Sequence, residues 1–258
     1  MSGAEQRGVS AVLAGVRKRY GAQEVLAGID LEIRPGELVA IVGQSGQGKS
    51  VLLRQIIGLE RPDAGRIEVG DIPLERYLAL PPDEKPFRIA MVFQGSALLA
   101  SLTVADNVAL RLREHHQVSP AEIAGRVTRA LEQVELTGAE TKLPGDLSGG
   151  MRKRAAIARA LAIDPELILY DEPTADLDPL LTEQIGDLIA RIRRTRGSTQ
   201  IVVTHNLGLA RSIADRVAVL DQGRIVDCTR AAALAASPHP LTRELLRAAG
   251  LGGSHAEQ

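Results

Sequence analysis

Apolar residues along this chain gather in short runs divided by turn-forming residues, and the period of those runs changes part-way through. Ala11–Val16 and Val25–Ile33 are separated by basic and glycine-containing residues and read as strands of an antiparallel opening. Arg34-Pro35-Gly36-Glu37 makes a turn, after which Leu38–Val42 is unbroken apolar. Such a run fits a strand buried on both faces of a parallel sheet, because a half-exposed strand would alternate. A glycine-rich loop and a helix over about Lys49 to Gly58 follow, and Gly65–Val69 and Arg88–Phe93 read as further strands. From about Ser101 to Glu135 the period becomes helical, with Val127, Leu131 and Val134 spaced by four and three. This stretch is a candidate inserted helical lobe.

A helix follows Gly149-Gly150 to about Ile163, and Leu167–Tyr170 is the next strand. Leu181, Ile185, Leu188, Ile189 and Ile192 form one apolar stripe of a helix. Ile201–Val203 and Val217–Leu220 are two more apolar strands, and the end is again helical. Strands alternating with helices predict an α/β fold around a mostly parallel sheet. No internal repeat or low-complexity tract interrupts it, and the residues from Gly252 to His255 are expected to fray.

Composition narrows the classes. The 258 residues suit one domain, or one domain with an inserted lobe. One cysteine, Cys228, cannot form an internal disulfide, which excludes a disulfide scaffold. With 31 Lys+Arg against 32 Asp+Glu, the near-neutral balance offers no general attraction to nucleic acid or an anionic membrane. Aromatics make up only 2 %, so aliphatic residues must fill the core. No run reaches the ~18 uncharged apolar residues that span a bilayer, and the first residues lack the pattern of a secretory signal. A role at a membrane would therefore require another polypeptide to hold the chain there.

Gly43-Gln44-Ser45-Gly46-Gln47-Gly48-Lys49-Ser50 matches G-x-x-x-x-G-K-[ST] between an expected strand and an expected helix. The glycines let successive N–H groups turn inward on phosphate oxygens, and the helix start adds positive potential. Lys49 would reach the β- and γ-phosphates, and the Ser50 hydroxyl would coordinate Mg²⁺. The strand Leu167–Tyr170 ends in Asp171-Glu172, at the sheet edge where ligands of open α/β folds sit. There Asp171 would hold the Mg²⁺ shell and Glu172 would orient or deprotonate the attacking water. Between these motifs stands Leu147-Ser148-Gly149-Gly150-Met151, opening a helix whose first N–H groups make an anion site.

Taken together, these motifs resemble the nucleotide-binding subunit of ATP-binding-cassette (ABC) transporters, over about Val9 to Arg247 and in the family's order. The resemblance implies one ATP-binding domain over 1–258, built on a P-loop NTPase core with an antiparallel β subdomain and an inserted helical subdomain. The core would span about 9–93 and 164–230, the helical subdomain about 95–163, and a C-terminal helical tail about 231–258. It implies ATP and Mg²⁺, and a second copy whose Ser148, Gly149 and Gly150 face the γ-phosphate, so that two chains sandwich two ATPs. Tyr20 matches the aromatic that stacks on adenine, against the plainer reading of a residue packed on the small lobe. Ser45, Gly46 and Val51 join the nucleotide contacts. Gln94 matches the glutamine that senses Mg²⁺ and water, Ala175–Asp178 the loop that crosses the dimer interface, and His205 the γ-phosphate histidine. Two departures stand out: Met151 where the family more often has glutamine, and Asn206 where an acid is frequent.

The segment Lys142–Asp146 lacks the Gly-Glu-Arg-Gly run of exporter-type cassettes. Phe93–Leu99, Ser101–Ala109 with Leu112–His115, and Leu147–Met151 with Arg152–Ala156 look like the ATPase of MCE-linked (maintenance of lipid asymmetry) phospholipid transporters. That resemblance implies permease subunits, an MCE-type lipid-binding subunit, and attachment to the cytoplasmic face of the inner membrane. About Leu98 to Glu114 would form the groove for a short permease helix. His115 and His116 are adjacent and point apart on a helix, so they make a poor metal pair. The competing readings are an importer ATPase for another small solute, a non-transport ABC ATPase acting in cell division or on DNA or ribosomes, and a P-loop kinase. Nucleic acid is not expected as a partner, because no basic stripe offers phosphate contacts. The kinase reading leaves Leu147–Met151 without a role.

Overall fold

A computed structural model describes residues 7–114 and 118–251. The pair His115 and His116, and the stretch from Gly252 onward, lie outside the described residues. The chain opens on the expected antiparallel pair, β1 (Ala11–Tyr20) and β2 (Gln23–Ile33). The basic residues Arg17, Lys18 and Arg19 are part of β1 rather than a linker, and the turn is confined to Gly21 and Ala22. One face of β1 is buried through Val16, and beyond it the polar side chains reach solvent while the strand keeps pairing with β2 as far as Tyr20.

β3 (Leu38–Val42) is buried at all five positions and leads into α1 (Lys49–Ile57). Gly58 ends that helix in the left-handed conformation that glycine adopts without a Cβ penalty. β4 (Ala64–Val69), β5 (Ile72–Pro73) and α2 (Leu74–Ala79) complete a small sheet of order β2-β1-β4-β5. After β6 (Ile89–Val92) come α3 (Val104–Arg113) and α4 (Pro120–Gln133), capped at their starts by the side chains of Thr103 and Ser119. Ser148 caps α5 (Gly149–Leu161) in the same way.

β7 (Leu167–Asp171), α6 (Pro179–Arg196), β8 (Thr199–Thr204), α7 (Leu207–Ile213), β9 (Arg216–Asp221), β10 (Arg224–Arg230) and α8 (Pro240–Ala248) follow. The main sheet has the order β10-β9-β3-β8-β7-β6, parallel throughout except for the edge hairpin β9–β10. β3 shows how the layers form. Val39 and Ile41 face the core shared with α1 and the small sheet, whereas Ala40 and Val42 face α7 and α8. A further core joins the α3–α4–α5 lobe to α6 through Val108, Leu131, Ile157, Ile168 and Ile189. Lobe and sheet are thereby continuous through buried apolar side chains.

Candidate functional site

Strand order creates the site. β3, β8, β7 and β6 are parallel neighbours, so their carboxyl ends share one edge. Register keeps those ends level, with Val42 opposite Thr204, Asp171 opposite Val203, and Val92 opposite Tyr170. The glycine loop, His205, the Asp171–Glu172 pair and Gln94 consequently leave the sheet side by side.

The loop is shaped by its glycines. A Cβ at Gly43 would lie 2.4 Å from the Leu220 carbonyl oxygen of β9. Gly48 has φ 95°, and a Cβ there would sit 2.9 Å from the Val25 carbonyl oxygen. At Gly46, φ is 83° and the space beyond is open. Ser45 is exposed beside it, and Val51 is half-buried one turn into α1. The turn between β9 and β10 braces the loop: the Gln222 N–H donates to Gln47 Oε1 at 2.7 Å. Sequence reading did not single out this brace, although Asp221-Gln222-Gly223 between two apolar runs is a hairpin signal.

Lys49 is only 5 % exposed, and its Nζ donates to the carbonyls of Gly43 (2.8 Å) and Gln44 (2.9 Å). It lies 3.8 Å from Glu172 Oε1. Burial pulls the pKa of this ammonium down, and the charges of Glu172 and Asp171 oppose that pull. The Ser50 hydroxyl donates to Asp171 Oδ1 at 2.7 Å. Burial raises the Asp171 carboxyl above the ordinary range, against the opposing hydrogen bond from Ser50.

Glu172 has φ 45°, a left-handed backbone that costs a non-glycine residue about 1–3 kcal/mol. Its N–H is tied to the Val203 carbonyl at 2.9 Å, so β8 holds the strained residue in place. Glu172 Oε2 accepts from the His205 N–H at 3.3 Å and lies 2.9 Å from His205 Nδ1. The imidazole is 62 % exposed, so its other ring nitrogen can reach a ligand in the cleft.

These residues fit a triphosphate with a hard divalent cation. A buried ammonium, the open left-handed turn at Gly46 and the start of α1 converge at the loop, with paired hydroxyl and carboxylate oxygens beside them. Among the described residues no group of three or more His, Cys, Asp or Glu could hold a metal. The paired Ser50 and Asp171 oxygens would fit an ion that draws most of its oxygens from phosphate and water, as Mg²⁺ does.

Tyr20 stands exposed at the end of β1, with its hydroxyl hydrogen-bonded to the Glu60 carboxylate. Glu60 lies 2.7 Å from Arg54 of α1, which links the aromatic to the helix that follows the loop. Gln94 is exposed, and its carbonyl accepts from Lys153 of α5. The remaining expected residues form a second group. The Met151 N–H donates to the Ser148 hydroxyl at 3.3 Å, and the Leu181 N–H donates to the Asp178 carboxylate at 2.9 Å. Gly149 and Gly150 approach Leu177 and Leu181 at the start of α6. The two departures also find places. Met151 packs half-buried on the lobe core, and Asn206 caps α7 by accepting from the Leu209 N–H at 2.9 Å.

The family model described as "ABC transporter" matches residues 26–175, more than half of the chain and all of the loop, acid and Ser148 motifs. The chain belongs to the ABC transporter family. The L-cystine transport system ATP-binding protein TcyN of Escherichia coli (strain K12) is 43 % identical over 235 residues, 89 % of this chain and 94 % of that protein. The probable ribonucleotide transport ATP-binding protein mkl of Mycobacterium tuberculosis (strain ATCC 25618 / H37Rv) is 38 % identical, covering 95 % of this chain and 68 % of that protein. The solved dimeric structure of the ATP-binding cassette MJ0796 in a post-hydrolysis state, bound to ADP and Pi, shares 34 % identity at a TM-score of 0.76. It covers 86 % of this chain and 98 % of its own. As a member of this ATP-hydrolysing family, the chain is an ATPase with the ABC fold.

Proposed function

We propose that this ABC ATPase is the motor subunit of a membrane transporter, in which ATP closes two copies of the chain and hydrolysis lets them part. The observation that carries this reading is the cluster of Lys49, Ser50, Asp171, Glu172 and His205 on one sheet edge. Lys49 and the N–H groups of the loop bind the phosphates, and Tyr20 stacks on the adenine. Glu172 takes a proton from water as the water oxygen bonds to the γ-phosphorus and the bond to the ADP oxygen breaks. His205 holds the Glu172 carboxylate through Nδ1 and presents its other nitrogen to the γ-phosphate. Mg²⁺, held by Ser50, Asp171 and Gln94, would supply charge neutralisation at the phosphates. Ser148, Gly149, Gly150 and Asp178 act in the partner copy's site. The chain works as one domain, with the lobe of about 95–163 transmitting the motion.

Attachment would run through permease subunits on the cytoplasmic face of the inner membrane, as the family resemblance implies; among the described residues no helix is long and apolar enough to cross a membrane. Phospholipid transport with an MCE-type partner is supported by the local runs Phe93–Leu99, Ser101–Ala109 and Leu147–Ala156. Import of a small solute is supported by the relatives themselves, whose names refer to cystine, ribonucleotides and, at 44 % identity, methionine in Bordetella avium (strain 197N). Purifying the intact complex and identifying its bound molecule by mass spectrometry separates these cargoes.

Glu172→Gln tests the motor itself. It is expected to keep ATP affinity within about twofold and to lower turnover at least a hundredfold, because positioning survives while the base is lost. Turnover close to that of the wild type would reassign the base.

A further inference from the structure

The segment that follows β6 is an unusual piece of main chain. Ser96 and Ala97 have φ 63° and 48°, two consecutive non-glycine residues in the left-handed region. Such a turn persists only where its surroundings over-determine it. Here the surroundings are two cations of α5, six residues apart along the helix. Lys153 donates to the Gln94 carbonyl, and the Arg159 guanidinium donates to the carbonyls of Ala97 and of Ser96, the latter at 2.9 Å. Arg159 therefore holds the strained turn, and Lys153 holds its entry at the glutamine itself.

Lys153 has a second relation that Arg159 lacks. Its side chain is buried, with the residue 7 % exposed, and that burial pulls its pKa down. Opposing the pull are the charges of Asp176, in the loop before α6, and of Glu172. One buried ammonium thus touches the chain at Gln94. It does so from the helix whose first residue follows Ser148. A buried lysine with no role would be costly where an uncharged side chain fits.

We propose that Lys153 is a positioning residue for hydrolysis: it ties the Gln94 main chain to α5, so that Gln94 meets the nucleotide only when α5 is in place. This rests on the assignment of Gln94 and Glu172 to the hydrolytic site.

The test is a double-mutant cycle on the full chain co-purified with its membrane subunits, reading ATP turnover and KM for Lys153→Met, Gln94→Ala and the pair. Lys153→Met is expected to lower kcat roughly ten- to a hundredfold with KM for ATP nearly unchanged, as loss of a supporting partner does. In the Gln94→Ala background the same substitution is expected to change kcat by less than about twofold, because its effect passes through Gln94. Lys153→Arg, which keeps the charge and the donors, is expected to restore most of the rate. An unchanged kcat in Lys153→Met, or an equal loss with and without Gln94, would overturn the proposal. Should Lys153→Met fail to fold, the same cycle with Lys153→Gln, polar but shorter and uncharged, reads the same two outcomes. Glu172→Gln in parallel separates the two failures. If that variant keeps its turnover, the site assignment has failed, and if it loses turnover while Lys153→Met does not, only the lysine has.

Discussion

At the scale of single residues, the loop glycines divide into those that meet neighbours and those that leave room. Gly43 is of the first kind, since a Cβ there would press on the Leu220 carbonyl of the adjacent strand. That neighbour is backbone of β9, held between β10 and β3, and cannot rotate away. Gly43→Ala is therefore expected to destabilise the fold by about 1–3 kcal/mol, the range for forcing an extra methyl into a packed interior. A denaturant midpoint equal to that of the wild type would contradict the close approach. Lys49→Ala makes the informative comparison. It removes the ammonium and its hydrogen bonds to the Gly43 and Gln44 carbonyls but puts no atom against Leu220, so ATP affinity should fall far more than stability. Together the two substitutions separate what the loop does for the sheet from what it does for phosphate.

At the scale of elements, α3 shows how a local signal governs a lobe. The Thr103 hydroxyl accepts from the Asp106 N–H at 3.1 Å and donates to the Asp106 carboxylate at 2.6 Å. That bond, reinforced by Arg113, holds the Asp106 carboxyl below its usual range. A depressed carboxyl adds stability that is complete above the unfolded pKa of about 4 and is lost as pH falls through the lower folded value. Thr103→Ala should cost about 1 kcal/mol at pH 7 and progressively less below pH 4. Urea midpoints across that range check it, and a difference that does not depend on pH would count against the Thr103–Asp106 bond. The strands and long helices were legible because burial on two faces, or on one stripe, leaves its period in the residues, as in Leu38–Val42 and Leu181–Ile192. β10 and α7 were not legible. β10 is half-exposed with polar and apolar positions mixed, and α7 is seven residues long with its apolar side set by contact with β3 rather than by period. The same division holds at the site. Lys49 and Asp171 sit in local motifs, whereas the bonds from Lys153 and Arg159 to the turn after Gln94 join residues about sixty positions apart, which no spacing reveals.

At the scale of the molecule, the proposed function divides one chain into two half-sites that serve different nucleotides. The phosphate loop, the acids and His205 gather on the sheet edge, while Ser148 stands exposed at the start of α5 with the N–H groups of the first turn beside it. The hydrogen bonds and close contacts of Ser148, Gly149 and Gly150 run to α5 and to Leu177 and Leu181. A helix start of this kind attracts a terminal phosphate, and a second copy of the chain can bring one to it. Two copies arranged head to tail then use both half-sites twice, and the pair closes. Because the ligand bridges the interface, its free energy of binding adds to that of association, so pairing should depend on ATP concentration and on the ligand remaining unhydrolysed. Light scattering on Glu172→Gln with saturating ATP and Mg²⁺ should report twice the monomer mass, and with ADP the monomer. Adding Ser148→Arg places a bulky side chain in the joint without touching the phosphate loop. It should abolish the dimer while leaving the ATP affinity of the single chain within about threefold. A dimer that survives both ADP and Ser148→Arg would mean that the copies meet through another surface, and that Ser148 does not bind the phosphate of its partner.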